Sequence, residues 1–504
     1  MIIVPLPNSS KSDMAAAPPF GGGPRLRATL LLCCLAQFMV ILDVSVVNVA
    51  LPAIRGGLHF SEQNLQWVVN AYTVTFAGFL LLGGRAADLL GRRRVFVSGL
   101  VLFAVASVAG GLADSQLVLI AARAVQGLGG AVIAPASLSI LTTTFTEGAG
   151  RNRAVGIWGA MGGAGGAAGV LLGGVLTDLL GWRWILFINV PIGLLAALAA
   201  QRLLAEGRAP ERARNFDLPG ALSATIGLSL LVLGIVRTDA TGWGAPGTLA
   251  LIGAGLALLL VFLAIEGRLA TAPLMPLRIY SSRTLSAANL VVLLVGGATF
   301  GMWFFVSLYL QQVLGYSPIK AGLAFLPMTL CIVAGSTLAS RAVARIGAKP
   351  LLVAGMAAQT VGLVLFAGVS VHGDYLGDMI LPSLLVAIGI GLAFVPATIC
   401  AVAGVAPSEA GLASGLVNTS RLVGGALGLA ILAALATART SHDLHRVTGG
   451  RLALHAALTD GFHLAFLVAA GFALVGGLVA LLGLPRSPTR PARRGAPAAA
   501  LAEA

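Results

Sequence analysis

Charge is what this chain has least of. Of its 504 residues only 10% are Asp, Glu, Lys or Arg, while 58% are hydrophobic. Soluble domains carry about 25% charged residues, and a soluble fold of this length cannot cover its surface with so few. Lipid must replace water as the solvent for the rest, so the composition indicates a membrane protein. Lysine is nearly missing, at three residues. No Gly-Lys-Ser/Thr phosphate loop occurs, which argues against ATP-driven work by this chain alone. Zinc-protease HExxH and Gly-x-Ser-x-Gly motifs are absent too, and no long polar stretch offers a soluble domain, so the chain does not read as an enzyme. Cysteine is scarce: Cys33, Cys34, Cys331 and Cys400 all fall inside apolar runs. They read as small packing residues, not as a disulfide framework or a metal site, and no cofactor is expected.

What the chain does have is long apolar runs. A helix needs about 20 such residues to cross a bilayer. Fourteen candidates occur, at 28–52, 64–84, 95–113, 116–144, 154–177, 184–203, 218–236, 248–265, 285–310, 320–340, 350–371, 378–404, 409–436 and 462–484. The division near 112–115 rests on one short polar break. No cleavage-site pattern follows the first run, so it reads as a spanning helix and not a removable signal. The net charge of +14 sits in short loops between the runs and not in a basic stripe beside stacking aromatics. It therefore points to topology and not to nucleic acid. With both termini inside, 23 of the 32 basic residues fall on the cytoplasmic side and 7 outside. That asymmetry sets the orientation and supports the span count.

The longest stretch between spans, 437–461 on the outer side, carries His442, His445 and His455 with Asp443 and Asp460 nearby. It reads as a solvated loop, since the spacing matches no strong metal-ligand pattern. Trp67, Trp182, Trp184 and Trp243 lie near span ends, where interfacial anchoring is the ordinary role.

An ionisable group at bilayer depth is costly and functional by default. Three lie well inside spans: Asp43, Arg123 and Arg421. Asp43 lies roughly 14 Å from the outer end of its span and Arg123 roughly 10 Å from the outer end of its own, at the helical rise. An ion pair is geometrically possible. A carboxylate so placed can take and release a proton as its pairing and its access to water change; a fixed pair that only orders the helices is the rival reading. Arg421, in the thirteenth run, is a candidate for binding substrate or a carbonyl cluster.

The fifth run reads GIWGAMGGAGGAAGVLLGGVL, with Gly165, Gly169 and Gly173 every four residues and Gly174 beside the last. Small residues at that spacing let helix backbones approach closely.

Several segments together resemble the major facilitator superfamily, and more narrowly its 14-spanner drug:proton antiporters. The first run has Leu42-Asp43-Val44-Ser45-Val46-Val47-Asn48. The loop after the second has Gly84-Arg85-Ala86-Ala87-Asp88-Leu89-Leu90-Gly91-Arg92-Arg93-Arg94, similar to the cytoplasmic signature. The fourth has Arg123-Ala124-Val125-Gln126-Gly127, similar to the proton-coupling motif, and the fifth-run glycines resemble the antiporter motif. Trp182-Arg183-Trp184 with Asn189-Val190-Pro191 and Leu314-Gly315-Tyr316-Ser317-Pro318 also agree, so the resemblance covers nearly the whole chain. Two departures stand out. Gly169-Val170 replaces the usual Gly-Pro, and the second-half repeat of the cytoplasmic signature, at 341–349, lacks an acid matching Asp88. That half is expected to be held less well or by another contact.

The resemblance implies an all-α polytopic membrane protein with the major facilitator fold: two six-helix bundles plus two extra central helices, 14 spans in all. The expected divisions are a disordered cytoplasmic tail at 1–27, an N-terminal bundle at 28–204, a linker with the two extra spans at 205–284, a C-terminal bundle at 285–484 and a cytoplasmic tail at 485–504. It further implies a monomeric transporter of the plasma membrane, with protons and a small hydrophobic substrate as its partners. Asp43, Arg123 and Gln126 are the expected proton-coupling residues. Gly84, Asp88, Gly91, Arg92 and Arg93 are the expected cytoplasmic latch, and Asn48, Asn189 and Arg421 candidate lining of the substrate cavity. The implied activity is proton-coupled export of drugs, antibiotics or toxic metabolites by alternating access. The alternative is proton-coupled import of a small organic solute on the same fold.

Overall fold

The structure, a computed structural model, describes residues 23–145, 149–204, 206, 217–270, 273–402, 410–444 and 451–485. Thirteen helices among them are long and apolar enough to cross a bilayer; Trp67–Leu90 is a further helix of 24 residues. In chain order they are α1 (Pro24–Leu58), α2 (Trp67–Leu90), α3 (Arg92–Gly111), α4 (Gln116–Thr144), α5 (Ala149–Leu179), α6 (Asn189–Leu203), α7 (Leu218–Thr241), α8 (Pro246–Ala264), α9 (Arg283–Leu308), α10 (Pro318–Ile346), α11 (Ala348–Phe366), α12 (Ile380–Val402), α13 (Ala410–Leu444) and α14 (Arg451–Gly483).

Local chemistry sets the ends. Ser282 and Ser317 precede α9 and α10, and their hydroxyls accept from the Leu285 and Lys320 amides at 3.3 Å each. Asp217 caps α7 in the same way, accepting from Gly220 N–H at 2.8 Å. Such caps satisfy amides that the first helical turn leaves without partners. Between α2 and α3 the chain reverses on a single residue, Gly91, at φ 108°. Gly347 does the same between α10 and α11 at φ 90°. L side chains avoid this region, so glycine stands at both corners.

The short break at 112–115 does divide two helices, since α3 stops at Gly111 and α4 starts at Gln116. Other edges differ from expectation. α1 begins at Pro24, ahead of residue 28, and α9 begins at Arg283, ahead of 285. The sixth span is broken: a short helix, Trp184–Phe187, precedes α6. The expected outer loop at 437–461 is corrected most, because α13 runs on to Leu444 and α14 starts at Arg451. That stretch is polar but rich in residues that tolerate helix, with glycine only at Gly449, Gly450 and Gly461, so the helices continue past their apolar cores. His445 and the rest of 445–450 lie outside the described residues, as do the tails at 1–22 and 486–504 and the stretch 207–216. Among the described residues, no group of His, Cys, Asp and Glu is arranged to hold a metal.

Helices α1–α6 pack on one another, and so do α9–α14. The two bundles meet along α5 with α10, α2 with α13 and α1 with α9. Helix α7 lies against α2 and α13 together. Val74 of α2, Leu228, Val232 and Val236 of α7, and Ala426 and Ala430 of α13 form one buried apolar cluster across this seam. Helix α8 packs mainly on α7 and exposes Leu249, Leu256, Leu260 and Leu263, a face that suits lipid.

On the side away from the arginine-rich α2–α3 turn, the bundles are joined directly. Ser307 Oγ donates to the Asn48 carbonyl at 2.6 Å, and Gln311 Nε2 to the Val49 carbonyl at 2.9 Å. Gly174 of α5 lies so close to α10 that a Cβ there would stand 2.6 Å from the Pro318 carbonyl oxygen. On the same side Trp184 and Trp243 are exposed, as interfacial anchors should be, but Trp182 is buried. Its ring carries the Arg183 guanidinium at 4.6 Å, and Arg183 also donates to the Ala113 carbonyl at 3.0 Å. Trp182 is therefore a packing residue at the end of the N-terminal bundle.

Candidate functional site

Five helices of the N-terminal bundle contribute to one buried polar cluster. Asp43 lies near the middle of α1 and is 0% exposed; Arg123 of α4 is 1% exposed. Arg123 Nη1 donates to Asp43 Oδ2 at 2.6 Å. The same nitrogen lies 2.8 Å from Gln126 Oε1, one helical turn along α4. Arg123 Nε donates to the Val68 carbonyl of α2 at 3.0 Å, and the guanidinium lies 4.5 Å from the centre of the Tyr72 ring. The second carboxylate oxygen is also occupied. Asn189 Nδ2, at the start of α6, donates to Asp43 Oδ1 at 2.8 Å, and Gln126 Nε2 approaches the same atom at 3.3 Å. Gln126 Nε2 also donates to Ser107 Oγ of α3 at 2.7 Å.

This is what a carboxylate at bilayer depth requires. An unpaired charge there is prohibitive, and a pair is tolerated only when the remaining lone pairs and protons are also satisfied. Both Asp43 oxygens and the Arg123 guanidinium have partners. Because the partners come from α1, α2, α3, α4 and α6, a change in the charge of Asp43 bears on the packing of the whole bundle.

The glycines of α5 hold the Asp43 turn from behind. A Cβ at Gly165 would stand 2.8 Å from the Phe38 carbonyl oxygen, at Gly169 2.6 Å from Ser45 Cβ, and at Gly173 2.9 Å from the Val46 carbonyl oxygen. Close backbone approach, not flexibility, is what these positions need. Gly174, on the adjoining face, meets the other bundle instead. Toward the arginine-rich end of α5, a Cβ at Gly156, Gly159 or Gly162 would meet nothing within 4 Å.

The residues expected to form the latch lie together at the α2–α3 corner. Gly84 packs on Pro135, and the Asp88 side chain lies outside the described residues. Arg93 Nε and Arg94 Nε approach Glu206 Oε2, just beyond α6, at 3.5 and 3.4 Å. Arg93 Nη1 also donates to the Leu204 carbonyl at 3.3 Å. Arg92 also has a partner. In the C-terminal half, which lacks the matching acid, Lys349 Nζ donates to the Leu484 carbonyl at 2.8 Å.

The residues proposed to line a substrate cavity are placed differently from one another. Asn189 belongs to the Asp43 cluster. The Asn48 side chain donates to Val44 of its own helix at 2.9 Å, while its carbonyl accepts from Ser307 at the bundle contact. Among the described residues Arg421, on α13, bonds only Asn418 Oδ1, through Nη2 at 3.0 Å and Nε at 3.3 Å. Sequence reading missed Ser107, Tyr72 and Glu206. Ser107 and Tyr72 carry a signal, being polar residues within apolar runs, whereas Glu206 is one of two glutamates in an arginine-rich stretch and has no distinguishing spacing.

A profile of the Major Facilitator Superfamily matches residues 33–429 and, in a second match, 290–502. The chain belongs to that superfamily. It is thus a multi-pass membrane transporter of small molecules and not an enzyme, with the two-bundle fold and two extra central helices described above. It is 45% identical over 414 residues to the cephamycin export protein CmcT of Amycolatopsis lactamdurans, spanning 82% of this chain and 85% of that one. It is 40% identical over 438 residues to the puromycin resistance protein pur8 of Streptomyces alboniger, spanning 86% of each. Among solved structures, a bacterial homologue of the human lysosomal transporter Spinster, inward-facing and unoccupied, superposes with a TM-score of 0.67 at 17% identity, over 92% of this chain and 98% of that one.

Proposed function

We propose that this superfamily member is a proton-coupled antiporter that exports small hydrophobic molecules, antibiotics among them, across the plasma membrane. Both termini lie in the cytoplasm, as the 23-to-7 distribution of basic residues favours. The single observation that carries the reading is the Asp43–Arg123 pair at 2.6 Å, enclosed by Gln126 and Asn189 in a membrane-spanning bundle. The export and resistance roles in the names of CmcT and pur8 support outward transport of antibiotics.

In this mechanism a proton reaches Asp43 from outside and neutralises it. The Asp43 contact to Arg123 weakens, and the arginine keeps Gln126 and the Val68 carbonyl as partners. The N-terminal bundle relaxes against α5, and the relative stability of the two openings of the central cavity changes. Substrate leaves outward as the proton is released inward. The membrane potential contributes about 2.3 kcal/mol per charge per 100 mV, to which any pH difference adds. The bundle contacts at Asn48–Ser307 and Gly174–Pro318 would be the outer closure, and the open space beside Gly156, Gly159 and Gly162 suits a cavity open to the cytoplasm.

Everted membrane vesicles loaded with the transporter test this. An imposed acid interior should drive uptake of a fluorescent hydrophobic drug. Asp43→Asn, at equal abundance in the membrane, should abolish the dependence on the proton gradient. Full gradient-driven uptake by that variant would overturn the coupling.

A further inference from the structure

Two guanidiniums lie deep in the spans, and the structure treats them oppositely. Arg123 has a carboxylate partner. Arg421, roughly 16 Å along α13 from its first residue at the helical rise, has none among the described residues, and its hydrogen bonds go to the single oxygen of Asn418. A guanidinium carries five N–H donors in a flat fork that matches a carboxylate edge; two of them are used here. The residue is part-buried, and at that depth its accessible part must face space inside the protein and not lipid.

The surroundings place that space between the bundles. Leu422, the next residue, is buried within the apolar cluster of the N-terminal bundle, with Phe300 and Val423 packed at its edge. The Arg421 guanidinium lies 5.9 Å from the Phe300 ring centre and 6.0 Å from that of Phe394. A cation without a carboxylate partner among the described residues and two aromatic rings thus lie at one seam.

We propose that Arg421 recognises an acidic group on the exported molecule, so that the preferred cargo is an amphiphilic aromatic acid. Its carboxylate pairs with the guanidinium, and its aromatic body lies against Phe300 and Phe394. This rests on the export reading above and narrows its substrate class from hydrophobic to hydrophobic and acidic. The acid replaces the counter-ion that Arg421 lacks, so the empty site is the less stable one and binding is favoured by charge that the protein itself leaves unpaired.

A matched fluorophore series tests the proposal: dansylglycine, its methyl ester and dansylcadaverine, with the full-length protein in lipid nanodiscs. The wild type should bind the acid about tenfold or more tighter than the ester, as one charge-assisted pair predicts. Arg421→Gln should remove that preference and leave ester binding within about twofold, since the apolar contacts persist. If Arg421→Gln does not fold, Arg421→Lys decides: a reduced preference supports the fork geometry, and an unchanged one overturns it. Equal binding of acid and ester by the wild type, or a preference that survives in Arg421→Gln, also overturns it. Efflux of the same dyes from cells separates the two readings. Expulsion of the ester and amine with no preference for the acid sinks only the acid site. Failure of the wild type to expel any of the three sinks the export reading as well.

Discussion

Asn189 and Arg123 hold opposite oxygens of one carboxylate, Asn189 Nδ2 at 2.8 Å from Asp43 Oδ1 and Arg123 Nη1 at 2.6 Å from Asp43 Oδ2. The acid is thereby tied to α6 as well as to α4. Loss of either tie should be felt in coupling before it is felt in membrane insertion. Asn189→Ala removes a hydrogen bond to a charged group, worth about 1.5–3 kcal/mol. The expected outcome is a several-fold fall in gradient-driven uptake at normal abundance, measured as initial rates in everted vesicles.

Arg123→Ala should be the more damaging change. It leaves Asp43 buried without its counter-charge, a situation that costs about 3–5 kcal/mol in buried pairs. Thermal unfolding in detergent should show a clear drop. Adding Asp43→Asn to Arg123→Ala should recover much of the stability and none of the proton coupling. If the double variant is no more stable than Arg123→Ala, the pair is not the balance of charge described here.

Gly169 and Gly159 lie on the same helix but should respond differently. A Cβ at Gly169 would press on Ser45 at 2.6 Å and on the Leu42 carbonyl oxygen at 2.8 Å, whereas one at Gly159 meets nothing within 4 Å. Gly169→Ala should destabilise by about 1–3 kcal/mol, the usual cost of overpacking. Gly159→Ala should be neutral or slightly stabilising, since alanine favours helix. Melting temperatures of the two variants side by side check this.

The bundle contact offers a test of alternation. With Cys33, Cys34, Cys331 and Cys400 replaced, Asn48→Cys and Ser307→Cys together should be joined by a short bifunctional thiol reagent, because Ser307 reaches the Asn48 backbone at 2.6 Å. The cross-linked protein should stop transporting, and cleaving the linker should restore it. Full transport while cross-linked would show that this contact does not open during the cycle.

Glu206 should matter little to stability. It faces Arg93 and Arg94 at 3.5 and 3.4 Å, with side chains 34% and 64% exposed. Exposed pairs of this kind contribute about 0–1 kcal/mol. Glu206→Gln should leave the melting temperature almost unchanged, while any change in transport rate reports on the corner's part in the cycle.

How far the site could be read from the sequence differs residue by residue. Asp43 and Arg123 stand out because a charge inside an apolar run has a high cost wherever it occurs, and their similar depths made a pair geometrically possible. Asn189 was assigned to the cavity, since an amide at a span end has many uses, and only the break before α6 brings it to Asp43. The glycine spacing on α5 announced a close approach without saying to what. It is α1 for Gly165, Gly169 and Gly173, and α10 for Gly174. The stretch 437–461 reads as loop from its polarity, but helix needs only satisfied backbone and tolerant residues, and both persist beyond the lipid.

By itself the sequence determined the solvent, the approximate number of crossings and which few charges lie deep in the spans. These follow from transfer free energies, which depend on composition within a single run of residues. The partner of each charge was left to the tertiary structure. Arg123 and Arg421 look alike along the chain, both cations in greasy helices, yet among the described residues one meets a carboxylate and the other meets none. That difference depends on which helices pack side by side and at what rotation, a matter of close packing between distant segments that no local pattern encodes.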